Sequence, residues 1–471
     1  MARVLEKRQP VTTRKSARTA DRFVWAYERR AAGKKLRDTA PLEAHGRWSA
    51  DRRRADPIGI LREADKTRLP MLVPLRYGRM LQSPFTFYRG SAGVMAQDLS
   101  RTPASGVRVQ VCGDAHLMNF GGFATPERRI IFDINDLDET LPAPWEWDIK
   151  RLAASFVLAA RSNGLSDRNG RDAAIACAQS YRQRMRDFAD MDVMEIWYSR
   201  IDDKAFLASL PAARRAAAAK RIAKATAHSS SELVYPKLVE EVEGQPRIHD
   251  SPPTIFHAEE SRHPGYIDTL NEVLVKYKET LTDDRRALFE RFQLVDAAVK
   301  VVGIGSVGTL CAVVLLMSIA RHPFFLQIKE ANASVLEAYA GASAHPHHGQ
   351  RVVMGQRLMQ PASDLFLGWV TGPKGRHFYL RQLRDVKLSA MVETFDAEML
   401  TIYARCCAWA LARAHAKAGD PWTIAGYLGK QDTFDLAMGK FALAYADQAE
   451  RDHAALKVAV RSGVIEAQVE R

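Results

Sequence analysis

Residues 109–139 read VQVCGDAHLMNFGGFATPERRIIFDINDLDE and contain two short apolar segments, each followed by polar and acidic residues. The alternation in VRVQVC and the β-branched run in RIIFD predict two strands, so both polar clusters begin where a strand ends. Side chains at strand ends and in the loops that follow are well placed for binding and catalysis. The first cluster comprises Gly113, Asp114, His116 and Asn119, and the second comprises Asp133, Asp136, Asp138 and Glu139.

The composition is that of a globular protein. The 471 residues are 47% hydrophobic, which allows two or three domains or one two-lobed domain. The most apolar segment, residues 310–320, is shorter than the roughly 18 apolar residues of a membrane helix, so no membrane partner is expected. Five scattered cysteines form no zinc-binding pattern, and their odd number favours a reducing, cytoplasmic location.

The positive charge is concentrated at the N-terminus. The net charge of the chain is +13, and residues 1–70 contain 19 Lys and Arg against 9 Asp and Glu. This pattern favours a flexible or surface-wrapped basic arm, followed by a leading helix at residues 57–69, because few aromatic residues are interleaved with the charges. It leaves open a contact between the arm and nucleic acid or another anionic surface.

A glycine-rich segment, GIGSVG, contains Gly303, Gly305, Ser306 and Gly308. A dinucleotide-binding fold requires a helix directly after such glycines, whereas residues 310–317 are rich in Val and Leu and predict a strand. A hairpin loop between two strands instead indicates a flap whose backbone N–H groups lie over a triphosphate. Lys329, on the next predicted strand FFLQIK, is placed to hold the α and β phosphates. Glu337 is its candidate partner, since Glu330 faces the other side of the strand.

The first polar cluster has the spacing of a phosphotransferase loop. Asp114 precedes Asn119 by five positions, so one loop can offer a base to a substrate hydroxyl and an amide oxygen to Mg²⁺. We assign Asp114 and His116 to catalysis. Asn119, Asp133 and Asp136 are predicted to bind the metal, since Mg²⁺ takes a few protein oxygens together with phosphate oxygens and water.

These motifs resemble those of known phosphotransferases. GDAHLMN followed by IIFD resembles the HGDxHxxN and hydrophobic-Asp motifs of aminoglycoside phosphotransferases and choline kinases, with Cys112 in place of the first His. GIGSVG with LQIK resembles the glycine loop and strand lysine of protein kinases. The resemblance implies ATP and Mg²⁺ as cofactors, Asp114 as the base and Asp148 as a structural aspartate. A contact of adenine with the backbone at residues 383–385 is also expected.

The order of the motifs is reversed relative to kinases, because the glycine loop and lysine follow the catalytic loop. A circular permutation explains this order, since surface termini can be relocated without changing core contacts. We therefore predict an α+β, two-lobed, protein-kinase-like fold with a helix-rich large lobe and a small antiparallel-sheet lobe. The expected parts are the arm and leading helix (1–70), the helical lobe (71–298), the β lobe (299–390) and C-terminal helices packing on the helical lobe (391–471).

Over nearly its whole length the chain also resembles an uncharacterised bacterial family, a domain of unknown function (DUF2252), which brings no established activity. Transfer of AMP, or nucleotide binding without catalysis, is an open alternative on the same site. A metal-dependent hydrolase using His116, Asp114, Asp133 and Asp136 is another. The acceptor is unknown, and its pocket is expected within residues 150–295 and the C-terminal tail.

Arginines in residues 71–95 are a further source of anion binding. Phe85 and Phe87 predict a short alternating strand that runs into a turn at Arg89. Arg76, Arg79 and Arg89 are available for anionic groups. For Arg76 and Arg79, pairing with nearby carboxylates is the favoured reading.

Overall fold

The computed structural model describes residues 24–51, 53–227, 230–258, 265–383 and 387–469, and it mixes helices with antiparallel strands, which confirms the α+β class. The helices are α1 (Ala26–Lys35), α2 (Pro57–Asp65), α3 (Val73–Met80), α4 (Pro84–Gly90), α5 (Ala92–Leu99), α6 (Trp145–Ser162), α7 (Asp167–Asp190), α8 (Val193–Tyr198), α9 (Asp203–Ser209), α10 (Ala212–Thr226), α11 (Ser230–Leu238), α12 (Tyr266–Lys278), α13 (Asp283–Phe289), α14 (Glu337–Ala340), α15 (His348–Met359), α16 (Ala397–Ala418), α17 (Pro421–Leu428) and α18 (Thr433–Arg461). The strands are β1 (Arg108–Val111), β2 (Phe120–Ala124), β3 (Ile130–Ile134), β4 (Leu141–Pro144), β5 (Ile201–Asp202), β6 (Val239–Val242), β7 (Gln245–Ile248), β8 (Ile255–Phe256), β9 (Phe292–Lys300), β10 (Cys311–Ser318), β11 (Pro323–Glu330), β12 (Gly368–Thr371), β13 (His377–Gln382) and β14 (Lys387–Leu388).

The largest sheet has six antiparallel strands in the order β12-β13-β11-β10-β9-β8. Strands β9 and β10 pair as a hairpin, and the loop between them holds the glycine segment. The predicted strand at residues 310–317 is therefore confirmed as β10, because its Val and Leu side chains are buried on both faces of the sheet. Lys329 of β11 lies opposite Cys311 on one neighbouring strand and Tyr379 on the other.

The sheet begins earlier in the chain than the predicted β lobe. Strand β9 starts at Phe292, and β8 adds residues that the sequence analysis placed in the helical lobe. The reason is that Asp296 interrupts the apolar pattern of β9. Its carboxylate accepts hydrogen bonds from the backbone N–H groups of Ile248 and Ala297, at 2.6 and 2.8 Å, so a charged residue is accommodated within the strand.

The helical lobe is built around α6 and α7, which α16 and α18 cover. One apolar core joins these four helices to strands β1–β4. Trp145, fully buried at the start of α6, stacks on Tyr181 of α7 with ring centroids 5.4 Å apart. The C-terminal helices therefore complete the same core as the strands that carry the two polar clusters.

Helices α1 and α2 pack against the C-terminal helices, although Trp25 and Tyr27 beside or within α1 are exposed. Gly33 of α1 leaves no room for a side chain, because a Cβ there would lie 2.1 Å from the carbonyl oxygen of Thr423. Helix α2 packs through Ile58 and Leu61 on α18 and on Ile304 of the glycine loop. Helix α2 confirms the leading helix predicted from Pro57, while residues 1–23 of the predicted arm lie outside the described ranges.

Residues 84–90 form helix α4 and not the predicted strand. Ser83 and Thr86 form a reciprocal capping box, and Pro84 occupies the first helical position, where its missing N–H has no cost. Phe85 and Phe87 are both buried in this helix. None of the described helices combines the length and hydropathy that a bilayer-spanning segment requires.

His257 ties residues 250–257 to the sheet. Its Nδ1 lies 2.8 Å from Asp250 Oδ1, and its Nε2 lies 3.1 Å from Asp296 Oδ2. Hydrogen bonding to Asp296 raises the pKa of His257, although burial opposes the shift. Hydrogen bonds from His257 lower the pKa of Asp250 and Asp296 against the opposite effect of burial.

We predict that His257→Gln destabilises the protein most at pH values above the pKa of Asp250 and Asp296 and below the pKa of His257. Because the folded pKa of His257 is raised, its contribution is fully present below about pH 6.5 and is lost as the pH rises through the folded value. Thermal melting of wild type and variant at pH 6 and pH 9 measures this. A melting-temperature difference that does not shrink at pH 9 would show that the ion pairs contribute nothing.

Candidate functional site

A cleft of about 540 Å³ lies where the six-stranded sheet, the helical lobe and helices α2–α5 meet. Its size is typical of a small-molecule site. Among the described lining residues, helices α2–α5 contribute many and residues 150–295, where the acceptor pocket was expected, contribute none. The predicted site residues that line it are Asp114, His116, Asn119, Asp136, Gly303, Gly305 and Ser306.

The loop that follows β1 is held from below by Asp148 of α6. Its two carboxylate oxygens accept hydrogen bonds from the backbone N–H groups of Cys112 and Gly113, at 2.6 and 2.9 Å. Gly113 has a φ of +84°, and a Cβ at this position would lie 2.4 Å from the carbonyl oxygen of Glu139. Only glycine therefore lets the first polar cluster approach the second.

The carboxylate of Asp114 is oriented by a buried guanidinium. Arg151 of α6 donates from Nε to Asp114 Oδ1 at 2.6 Å, which leaves Oδ2 facing the cleft. His116 Nε2 lies 3.8 Å from that oxygen. Burial lowers the pKa of His116 to about 3, so the imidazole is neutral. Since its Nδ1 accepts from the Met118 N–H, the remaining proton is on Nε2 and points towards Asp114.

Asn119 braces the same loop by donating from Nδ2 to the Asp114 carbonyl oxygen at 2.8 Å. Its amide oxygen is the group left for another ligand. The predicted pair of Asp114 and Asn119 is thus brought together at the wall of one cleft. The Asn119 side chain is fixed by its hydrogen bond to backbone, and the Asp114 side chain is fixed by Arg151 of α6.

The second polar cluster meets the buried strand lysine in the wall of the cleft. Lys329 Nζ lies 2.5 Å from Asp138 Oδ2 and 3.8 Å from Asp136 Oδ1, and the Tyr379 hydroxyl donates to Asp138 Oδ1 at 2.5 Å. Although burial alone would lower it, the charges of Asp136 and Asp138 raise the pKa of Lys329. Burial and the neighbouring Asp138 raise the pKa of Asp136, and Lys329 keeps that of Asp138 low despite its burial.

Asp133 does not line this cleft, so the structure does not bring it together with the other predicted metal ligands, Asn119 and Asp136. The side chain is fully buried beneath β3, where Arg413 of α16 donates to both oxygens at 2.9 and 2.8 Å. Burial raises the pKa of Asp133 even though Arg413 opposes the shift. Asp138 occupies the position in the cleft that the sequence analysis gave to Asp133.

Glu337 is not the partner of Lys329, which corrects a second prediction. Its carboxylate accepts from the Ser334 N–H at 3.1 Å and lies 3.8 Å from Arg351 Nε. Glu330 is also turned away, as expected, and accepts from the Leu310 N–H at 2.9 Å. The nearer carboxylates of Asp136 and Asp138 satisfy the lysine instead.

The glycine loop forms one wall of the cleft and is anchored to the N-terminal helices. Arg79 donates to the Gly303 carbonyl oxygen at 2.6 Å, and the Leu69 N–H donates to that of Gly308 at 2.7 Å. Gly308 has a φ of +92°, and a Cβ there would lie 3.0 Å from Arg68 Cβ. The expected contact of adenine at residues 383–385 lies partly outside the described residues.

Two residues of the site, Arg151 and Tyr379, were not predicted from the sequence. Arg151 follows Asp148 by three positions on one helix, and that spacing places both on the face towards the loop. Tyr379 carried no such signal, because its register opposite Lys329 depends on sheet pairing. In the described part of the chain, no group of three or more His, Cys, Asp or Glu side chains is arranged to hold a metal ion by itself.

Comparison with protein families adds a finding to this geometry. The model of a family described as uncharacterised protein conserved in bacteria (DUF2252) matches residues 68–459. The chain belongs to this family. Searches of curated proteins and of solved structures each returned no significant match. The DUF2252 match covers both polar clusters, the glycine loop and Lys329, and the described lining residues outside it are Ile60, Leu61, Ala64 and Thr67.

We predict that Asp133→Ala in this DUF2252 protein lowers the free energy of unfolding by about 3–5 kcal/mol, because it leaves Arg413 buried without its carboxylate. Urea denaturation measures the loss. The double variant Asp133→Leu, Arg413→Met should recover much of it, since apolar residues of similar volume replace the pair. Wild-type stability of Asp133→Ala, accompanied by loss of a Mg²⁺ response, would contradict the structural role.

Proposed function

We propose that this protein is an ATP- and Mg²⁺-dependent phosphotransferase with a two-lobed, kinase-like fold in circularly permuted order. The observation that carries the proposal is the meeting of four motifs at one cleft: the glycine loop, the Asp114 loop and the carboxylates of Asp136 and Asp138 line it, and buried Lys329 pairs with Asp138 in its wall. They come from sequence positions far apart, and phosphoryl transfer needs all four functions together.

The glycine loop and Lys329 would bind the nucleotide phosphates. Backbone N–H groups of a glycine hairpin approach phosphate oxygens closely because no side chain intervenes. Lys329 is buried and charged, and its present partners are Asp136 and Asp138. Phosphate oxygens would share this ammonium group once a cation neutralises the two carboxylates.

Asp136, Asp138 and the amide oxygen of Asn119 would hold Mg²⁺. Asp136 Oδ1 is buried and accepts no hydrogen bond within the described structure, which fits a carboxylate oxygen intended for a cation. Magnesium keeps several waters and phosphate oxygens, so two carboxylates suffice. When bound, the ion neutralises charge on the phosphates.

Asp114 would orient and deprotonate the acceptor hydroxyl through Oδ2. Arg151 holds the other oxygen, so the carboxylate is already aimed into the cleft before substrate arrives. Neutral His116 adds no competing charge. A positioned base of this kind contributes roughly 10²- to 10⁴-fold in rate.

The chain order supports a permuted arrangement. The lysine strand β11 follows the glycine hairpin directly, as in protein kinases, yet both follow the Asp114 loop in sequence. Helix α16 packs beside β3 and contacts the loop after β1, because the Tyr403 hydroxyl donates to the Leu117 and Phe120 carbonyl oxygens. A helix near the C-terminus therefore buttresses a loop near the N-terminus.

We predict that Asp114→Asn slows ATP turnover by about 10²- to 10⁴-fold with little effect on Mg-ATP affinity, because the base is lost and the metal ligands remain. Asp136→Asn should weaken Mg-ATP binding itself. Phosphate-release kinetics and calorimetry measure the two effects.

The matched control is Asp268→Asn, which removes a carboxylate from the exposed face of α12 and should change neither quantity. Unchanged turnover in both Asp114→Asn and Asp136→Asn would rule the proposal out. Intact-mass measurement of a reacted acceptor separates phosphate transfer from AMP transfer by the size of the adduct.

A further inference from the structure

Arg89 lies in the last turn of α4, and it lines the same cleft as Asp136 and Asp138. Its guanidinium makes no hydrogen bond or ion pair with any described residue, and its Nε is buried without an acceptor. The one anionic group whose field reaches it is Asp114, whose Oδ1 is already held by Arg151. Arg89 is therefore a largely buried cation without a protein partner.

Two neighbouring arginines in the same wall have hydrogen-bond acceptors in the protein, although the Nε atom of each, like that of Arg89, has none. Arg76 donates to Asp65 Oδ1 at 2.9 Å and to the Gly90 carbonyl oxygen at 2.8 Å. Arg68 donates to the Val307 carbonyl oxygen and lies 3.7 Å from Asp65. The pairing favoured for Arg76 is thus confirmed, and the contrast shows that the fold supplies acceptors to these two arginines but not to Arg89.

Leaving a buried guanidinium unpaired is unfavourable, because the charge loses hydration and gains no counter-charge. Burial accordingly lowers the pKa of Arg89. Arginine presents a planar fork of donors that matches phosphate and carboxylate groups. A side chain held in this way, at the wall of a cleft, is suited to an oxyanion that arrives with a ligand.

We propose that Arg89 forms an oxyanion subsite of the cleft that binds a phosphate or carboxylate group of a substrate. This inference deepens the proposed phosphotransferase function, and it rests on that function in assigning the oxyanion to a substrate. The oxyanion has two possible sources, an anionic acceptor or the terminal phosphate of the nucleotide. Both lie within reach because the Arg89 carbonyl oxygen is 3.4 Å from the Cβ position of Gly305 in the glycine loop.

The test uses inorganic phosphate as the probe, at constant ionic strength and without Mg²⁺ or nucleotide. We expect phosphate, and not chloride, to raise the melting temperature of the full-length protein. Arg89→Gln should weaken phosphate binding by about tenfold or more, since charge-assisted hydrogen bonds are lost. Arg89→Lys should retain part of the effect, and Arg62→Gln, an exposed change on α2, should retain all of it.

The melting temperature without phosphate supplies a second readout. Removing an unpaired buried cation should leave the stability of Arg89→Gln equal to or above that of wild type. A large destabilisation, or an undiminished phosphate shift in this variant, would overturn the proposal, as would the absence of any phosphate shift in wild type.

Saturating Mg-ATP then distinguishes the two sources. A phosphate shift that persists beside Mg-ATP assigns Arg89 to the acceptor, and a shift that disappears assigns it to the terminal phosphate of the nucleotide. If Mg-ATP does not bind at all while the Arg89-dependent phosphate shift remains, the phosphotransferase proposal fails and the oxyanion subsite stands.

Discussion

The ion pair between Lys329 and Asp138 joins residues 191 positions apart and links the sheet to the loop that follows β3. Lys329 is buried, so its ammonium group is not stable there without a carboxylate partner, whereas Asp138 is partly exposed in the cleft. The pair ties the six-stranded sheet to the loop that carries Asp136 and Asp138, both of which line the cleft. Tyr379, which pairs with Lys329 in the sheet and donates to Asp138, fixes the geometry from the sheet side.

A second set of contacts, from helix α6, holds the Asp114 loop in place. Asp148 and Arg151 project from one helix and hold the backbone and the carboxylate of the Asp114 loop, so this loop is positioned by a buried, rigid element. Groups held in this way need little reorganisation when a substrate binds, which is the condition for electrostatic stabilisation of a transition state. Helix α6 thus positions Asp114, and the contact with Lys329 positions Asp136 and Asp138.

The motifs that sequence reasoning found depend on local patterns. The hairpin around Gly303 followed from the Val- and Leu-rich strand after it, and the loop of Asp114 followed from a strand that ends in glycine. Asp133 and Asp138 could not be separated in this way, because strand alternation stops after Ile134 and both are acidic. The choice between them depends on Arg413, 280 positions away from Asp133, which removes that carboxylate from the cleft.

Two other differences have separate origins, one local and one in tertiary structure. Phe85 and Phe87 alternate as in a strand, yet the Ser83 cap decides for a helix, and that signal was present in the sequence. The packing of α1 and α2 could not be inferred from their charge, since their partners α17 and α18 lie at the other end of the chain.

A crystal structure with Mg²⁺ and a non-hydrolysable ATP analogue tests the central claim most directly. The triphosphate should lie between the glycine loop and Lys329, with the metal bound by Asp136 and Asp138 and no change at the buried pair of Asp133 and Arg413. A nucleotide bound outside this cleft, or a metal coordinated by Asp133, would contradict the account.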